Sequence, residues 1–254
     1  MLLRLPILLA LALAIPLAAG ASPRKEDGAR SKLEALARDR TPLYCGGRRG
    51  RYVALTFDDG PSAYTPRVLR LLRRARARAT FFVVGSRAAA RPDLVRAESL
   101  LGAVGNHTWT HPRLAGLRRR DVIRQLLRTQ AAIVRATGGV RPLLFRPPYG
   151  VGTPAETAAV HALGLVDVRW SLDSLDSRPG ATAASVVRNV IAGLRPGAIV
   201  LLHDIHPRAV AALPRILRAV RRRGLSPVTI PELVALDPPS HAELVPVRPS
   251  GRCG

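Results

Sequence analysis

Two histidines, His107 and His111, stand four residues apart in the stretch Gly105-Asn106-His107-Thr108-Trp109-Thr110-His111. Neutral imidazole is the commonest side-chain metal ligand, and on a helical turn that spacing faces both rings the same way. Two neutral ligands rarely complete a hydrolytic site, so an acidic third is expected. Thr56-Phe57-Asp58-Asp59-Gly60-Pro61 offers one. The residue types therefore predict a His-His-Asp metal centre. Three further stretches carry groups that could do chemistry beside it: Arg146-Pro147-Pro148-Tyr149-Gly150, Asp173-Ser174-Leu175-Asp176-Ser177 and Leu201-Leu202-His203.

These stretches need elements to bring them together. Tyr52-Val53-Ala54-Leu55-Thr56-Phe57 reads as a strand stopped by Asp-Asp-Gly-Pro. A helix follows over 65–77, with Val68, Leu69, Leu71 and Leu72 at helical spacing and arginines on the other face. The same texture repeats: strands at 80–84, 103–104, 143–145, 165–170, 198–202 and 227–229, and helices at 86–90, 93–100, 119–137, 153–163, 183–194, 208–223 and 231–236. Gly138-Gly139 supplies a C-terminal stop for the longest helix. Continuous apolar strands alternating about seven times with amphipathic helices predict an α/β fold, a parallel sheet covered by helices. Each chemical stretch falls just after a strand. In a closed barrel such ends converge on one face, and an open doubly wound sheet collects them at its carboxyl edge. No Gly-rich phosphate loop is present, which speaks against nucleotide binding.

The chain of 254 residues is long enough for one sizeable domain plus tails. Arg4 precedes an apolar run over 5–21 that ends in Ala19-Gly20-Ala21, so residues 1–21 read as a signal peptide, with an uncleaved anchor as the alternative. Residues 22–50 read as a polar linker with at most a helical turn, 51–236 as the single catalytic domain and 237–254 as a Pro-rich tail. A secreted or envelope-associated protein is expected. Cys45 and Cys253 lie at opposite ends of the mature chain, and in an oxidising compartment they would pair. In the loop-entropy picture so long a closure contributes about 4–5 kcal/mol; two free thiols are the alternative.

The net charge is +23, and Lys25 and Lys32 are the only lysines, so 38 of the 40 basic residues are arginine. Such a surface attracts polyanions, which for an exported protein means anionic wall polymers or lipid headgroups. The aromatic-interleaved basic motifs of nucleic-acid modules are missing, and no nucleic-acid partner is expected. Nothing in the sequence sets an oligomeric state.

Together the five stretches, in this order, resemble the polysaccharide deacetylase family, whose domain is known as NodB homology. The resemblance covers roughly residues 52–236. It implies a distorted (β/α) barrel of about seven strand-helix units and the hydrolysis of acetyl groups from a sugar polymer with a divalent metal. Residue by residue, it makes Asp58 the general base and Asp59, His107 and His111 the metal ligands. Two nitrogens and one oxygen suit Zn²⁺, with Co²⁺ or another divalent ion possible. Arg146 would pair with Asp58, and the Tyr149 backbone N–H would help hold the oxyanion. Asp173 would hydrogen-bond the catalytic histidine, His203 would protonate the leaving amine, and Leu201 would line the acetyl methyl pocket. Adjacent Asp58 and Asp59 would point to opposite faces of a regular strand, so the chain must turn there, and Gly60-Pro61 is expected to turn it.

The chain departs from the family at Ser177, where an aromatic is usual. Trp170 could replace that aromatic or be a buried strand residue. The expected substrate is peptidoglycan or a chitin-like oligomer. The alternatives are acetylxylan, a non-sugar amide, or a non-catalytic cell-wall glycan-binding module.

Overall fold

The computed structural model describes residues 23–244. The expected signal segment, the last ten residues of the tail and Cys253, with the bridge it would make, lie outside that range. Helix α1 (Pro23–Asp39) comes first, then β1 (Tyr52–Asp58), α2 (Thr65–Ala75), β2 (Thr80–Val83), α3 (Gly85–Ala90), α4 (Pro92–Leu101) and β3 (Ala103–Asn106). The second half runs α5 (Arg119–Thr137), β4 (Leu144–Phe145), α6 (Pro154–Ala162), β5 (Val166–Asp167), β6 (Leu172–Asp173) and α7 (Ala183–Gly193). It closes with β7 (Ile199–His203), α8 (Pro207–Arg222), β8 (Ser226–Val228), α9 (Ile230–Leu236) and the short α10 (His241–Leu244).

The strands form one curled parallel sheet in the order β5-β4-β3-β2-β1-β7-β6. Strand β8 pairs with the lower half of β1 while β2 pairs with its upper half. No ladder joins β5 to β6, so the barrel is distorted and open at that seam. There Leu43 bridges to Val168, and the Ser171 N–H donates to the Ile199 carbonyl.

Side-chain alternation divides the core. Val53, Leu55 and Phe57 on β1, with Phe81, Val83, Val200 and Leu202, pack outward against the helices. Ala54, Phe82, Leu144 and Ile199 face inward with Leu33, Leu36, Leu233 and Val234, so α1 and α9 plug the bottom of the barrel. Helix α1 corrects the expected linker. Its Leu33, Leu36 and Ala37 recur at helical spacing and are buried, a stripe that the surrounding charges hide in the sequence. The six-residue strand expected over 165–170 pairs with β4 only at Val166–Asp167, and Val168 beyond it bridges to Leu43 at the open seam.

Several helices begin where side chains satisfy their first N–H groups. Thr153 with Glu156, Thr182 with Ser185 and Thr229 with Glu232 form reciprocal capping boxes. Helix α5 ends at Gly138, whose φ of 75° is the left-handed conformation glycine adopts without strain.

Candidate active site

Asp58 is the last residue of β1, on the inward face, and pairs in register with His203 at the end of β7. Asp59 follows with φ of 71°. That left-handed residue turns the chain, so the neighbouring carboxylates serve one site despite the strand's alternation. The turn expected at Gly60-Pro61 thus begins one residue earlier. Gly60 has a separate reason to lack a side chain: a Cβ there would lie 2.6 Å from the Asp204 carboxylate.

His107 and His111 do converge, but not on a helical turn. They sit in the loop after β3, where Thr108 and His111 have φ of 67° and 55°. Hydrogen bonds fix that conformation. Asn106 accepts from the Thr108 N–H at 2.9 Å and donates to the Leu126 carbonyl at 2.8 Å. Gln125 on α5 accepts from the Trp109 and Thr110 amides. The Thr108 carbonyl accepts from the Gly85 N–H at the start of α3. Of the seven non-glycine residues with positive φ among the described residues, five line this region: Asp59, Thr108, His111, Tyr149 and Leu175. Such conformations persist only where surrounding contacts over-determine them, and they gather at functional sites.

Asp59, His107 and His111 each offer one ligand atom, all within 4.8 Å of one another. His107 Nε2 is 3.4 Å and His111 Nε2 3.2 Å from Asp59 Oδ1. His107 Nδ1 lies 2.7 Å from the Arg146 carbonyl. A carbonyl only accepts, so Nδ1 carries the proton and the Nε2 lone pair faces Asp59. Asp59 Oδ1 is buried with no hydrogen-bond partner among the described residues. A buried carboxylate oxygen without a partner is costly, and a divalent cation among these three groups removes that cost. The donor set therefore fits a metal ion. Burial raises the Asp59 pKa, but the neighbouring His107 and His111 outweigh it and hold the carboxyl well below its ordinary range. Burial and the nearby His107 lower the His111 pKa, which favours the neutral imidazole that ligates.

Arg146 is fully buried. Its Nη1 donates to Asp58 Oδ1 and to Thr56 Oγ1, both at 2.7 Å. Nε donates to the Val168 carbonyl and Nη2 to the Arg169 carbonyl, and the guanidinium lies over the Phe82 ring at 4.1 Å. The expected Arg146–Asp58 pair is present. Asp58 Oδ2, the oxygen away from Arg146, is 3.8 Å from His107 Nε2.

The partner of His203 is not the expected one. Asp176 Oδ1 meets His203 Nδ1 at 2.7 Å, and Asp176 Oδ2 accepts the His203 backbone N–H at 2.7 Å. Asp173 ends β6, where its Oδ1 accepts the Leu175 N–H. Leu175, with φ of 59°, reverses the chain so that the next residue reaches back to His203. Burial opposes a charged imidazole, but the Asp176 hydrogen bond and charge, with Asp58 and Asp59, raise the His203 pKa to about 9.

Tyr149 is half exposed, and its ring lies 4.7 Å from the His111 ring. Trp170 packs under its loop, so closely that a Cβ on Gly150 would stand 2.4 Å from the indole. Leu201 is buried two residues before His203, on the same inward side of β7. Ser177 is exposed.

Sequence reasoning missed Asp176 as the orienting group and Asp204 as the packing partner of Gly60. Asp204 is buried and accepts from Thr65. Burial and the charge of Asp59 push it up to about 7 against that hydrogen bond. Asp176 was within reach, because it is the second acid of the same stretch.

A family description, polysaccharide deacetylase, matches residues 46–168. The chain is 41% identical over 188 residues to a peptidoglycan-N-acetylglucosamine deacetylase of Listeria monocytogenes, covering 73% of this chain and 39% of that protein. It is 41% identical over 196 residues to a chitooligosaccharide deacetylase of Sinorhizobium fredii, covering 71% of this chain and 90% of that protein. A solved family 4 carbohydrate esterase from Streptomyces lividans, in complex with acetate, superposes with a TM-score of 0.66 at 40% identity, over 72% of this chain and 92% of the other.

Proposed function

The chain belongs to the polysaccharide deacetylase family, and from that premise we propose that it hydrolyses the acetamido group of N-acetylglucosamine units in peptidoglycan or a chitin-like oligomer, with a divalent metal. The observation that carries the reading is the meeting of three ligand atoms, one of them a buried carboxylate oxygen without a partner, between an arginine-held carboxylate and a carboxylate-held imidazole. Export, for which residues 1–21 are the expected signal, would bring the protein to such a glycan.

Asp59, His107 and His111 would hold the ion, Zn²⁺ by preference of the donor set. When bound, it supplies Lewis-acid polarisation of the acetyl carbonyl and a more acidic attacking water. Asp58 is the general base: its Oδ2 takes a proton as the water oxygen bonds to the acetyl carbon. Arg146 holds and aims Asp58 through the hydrogen bond to its Oδ1. The Tyr149 N–H donates to the oxyanion. His203, oriented by Asp176, gives its Nε2 proton to the nitrogen as the C–N bond breaks, releasing acetate and a free amine. Leu201 shapes the space for the methyl group.

Incubating the purified protein with N-acetylglucosamine oligomers tests this. Acetate and an equal amount of glucosamine amine are expected, and Asp58→Asn should abolish both. Binding of the oligomers without either product would support the non-catalytic alternative.

A further inference from the structure

The loops that follow the strand ends form the mouth around His111. Their acidic side chains, Asp59, Asp173, Asp176 and Asp204, are all buried or half-buried within the site. The exposed charges on these loops are arginines: Arg113, Arg118 and Arg178. Arg118 is paired with Asp121. Arg113 has no carboxylate partner among the described residues. Its guanidinium carbon instead lies 4.5 Å from the centre of the Tyr149 ring, the same ring that lies 4.7 Å from His111. The phenol therefore links a candidate metal ligand to an uncompensated, solvent-facing cation.

A guanidinium packed on an aromatic face is weakly hydrated and keeps a planar fork of donors that matches a carboxylate. A neutral sugar placed over Tyr149 would use little of that. A carboxylate on the neighbouring sugar would make two charge-assisted hydrogen bonds. We propose that Arg113, held on Tyr149, is an anion subsite, and that the favoured substrate is a glycan with a carboxylate on the sugar next to the acetamido sugar being hydrolysed. This inference rests on the deacetylase reading. The lactyl carboxylate of muramic acid is one such group where no peptide is attached to it. Chitin-like oligomers have none.

The test compares three probes of equal length. They are alternating N-acetylglucosamine–N-acetylmuramic acid oligomers with free carboxylates, the same oligomers as methyl esters, and N-acetylglucosamine oligomers. The free acid should have a kcat/KM about tenfold above its ester, the size of one good charge-assisted contact. In Arg113→Gln that ratio should fall towards one, and Arg113→Lys should restore part of it, as a charge effect requires. Raising salt to about 0.5 M should shrink the ratio in the wild type. Equal kcat/KM for acid and ester in the wild type overturns this inference alone. A ratio that survives Arg113→Gln assigns the anion contact elsewhere and also overturns it. Acetate from none of the three probes contradicts the deacetylase reading itself.

Discussion

A proton on His203 is useful only if it is both held and aimed, and the two oxygens of Asp176 do both, one on the ring and one on the backbone amide. Removing that carboxylate charge by Asp176→Asn should lower kcat/KM by roughly 10²–10⁴-fold, the range of general acid catalysis. The alkaline limb of the pH–rate profile should move to lower pH. Asp173→Asn, whose side chain caps Leu175, should cost far less. The same pair sets a stability signature. The His203 pKa rises from its ordinary 6.5 to about 9 on folding. A raised pKa contributes stability that is full below about 6.5 and lost as pH climbs through about 9. Thermal melts of the metal-free protein should therefore fall across that window, and in Asp176→Asn the fall should flatten. The candidate ligands were legible as a His-His-Asp set, whereas the roles of Asp58, Arg146 and His203 came only from the resemblance of the five stretches taken together. Asp176 was not distinguished from Asp173, since two acids three apart look alike until Leu175 takes positive φ between them.

The elements that aim these groups are short strands followed by loops with costly backbone conformations, and the helices behind them restrain those loops. Gln125 on α5 and the start of α3 fix the histidine loop. Arg169, just past β5, joins the Gly150 carbonyl, Asp167 and Glu156, so it ties the Tyr149 loop to α6. Arg169→Ala should lower kcat more than it raises KM, because it frees the loop whose Tyr149 N–H donates to the oxyanion in the transition state. Initial-rate curves on one oligomer decide it. At the barrel's other end α1 closes the core with Leu33, 2% exposed. Leu33→Ala should cost about 2–5 kcal/mol in urea unfolding, whereas a true linker residue would cost almost nothing. Helix α5 was legible to the residue from its 3.6 period and Gly138. Helix α1 was not, because its charges mask three apolar positions. The open seam was not legible either, since which strands pair is decided by contacts far apart in sequence.

For the whole molecule, the net charge of +23 and the buried site are separable. The cationic exterior should bind anionic polymers with an affinity that falls steeply as salt rises. Acetate release from neutral oligomers should barely change over the same range, because the groups around Asp59 are shielded from bulk ions. Composition announced the charge, the strand-helix alternation announced a parallel sheet covered by helices, and the barrel itself came from the family resemblance. Neither could show that one buried oxygen of Asp59 would be left without a partner. That oxygen is why the account needs a metal. The direct test is to strip the purified protein with a chelator, measure its metal content, and follow acetate release from N-acetylglucosamine oligomers as Zn²⁺ or Co²⁺ is restored. Activity should vanish with the metal and return with about one equivalent per chain, and Asp59→Ala should neither hold the ion nor recover. An unchanged rate after complete metal removal would contradict the account.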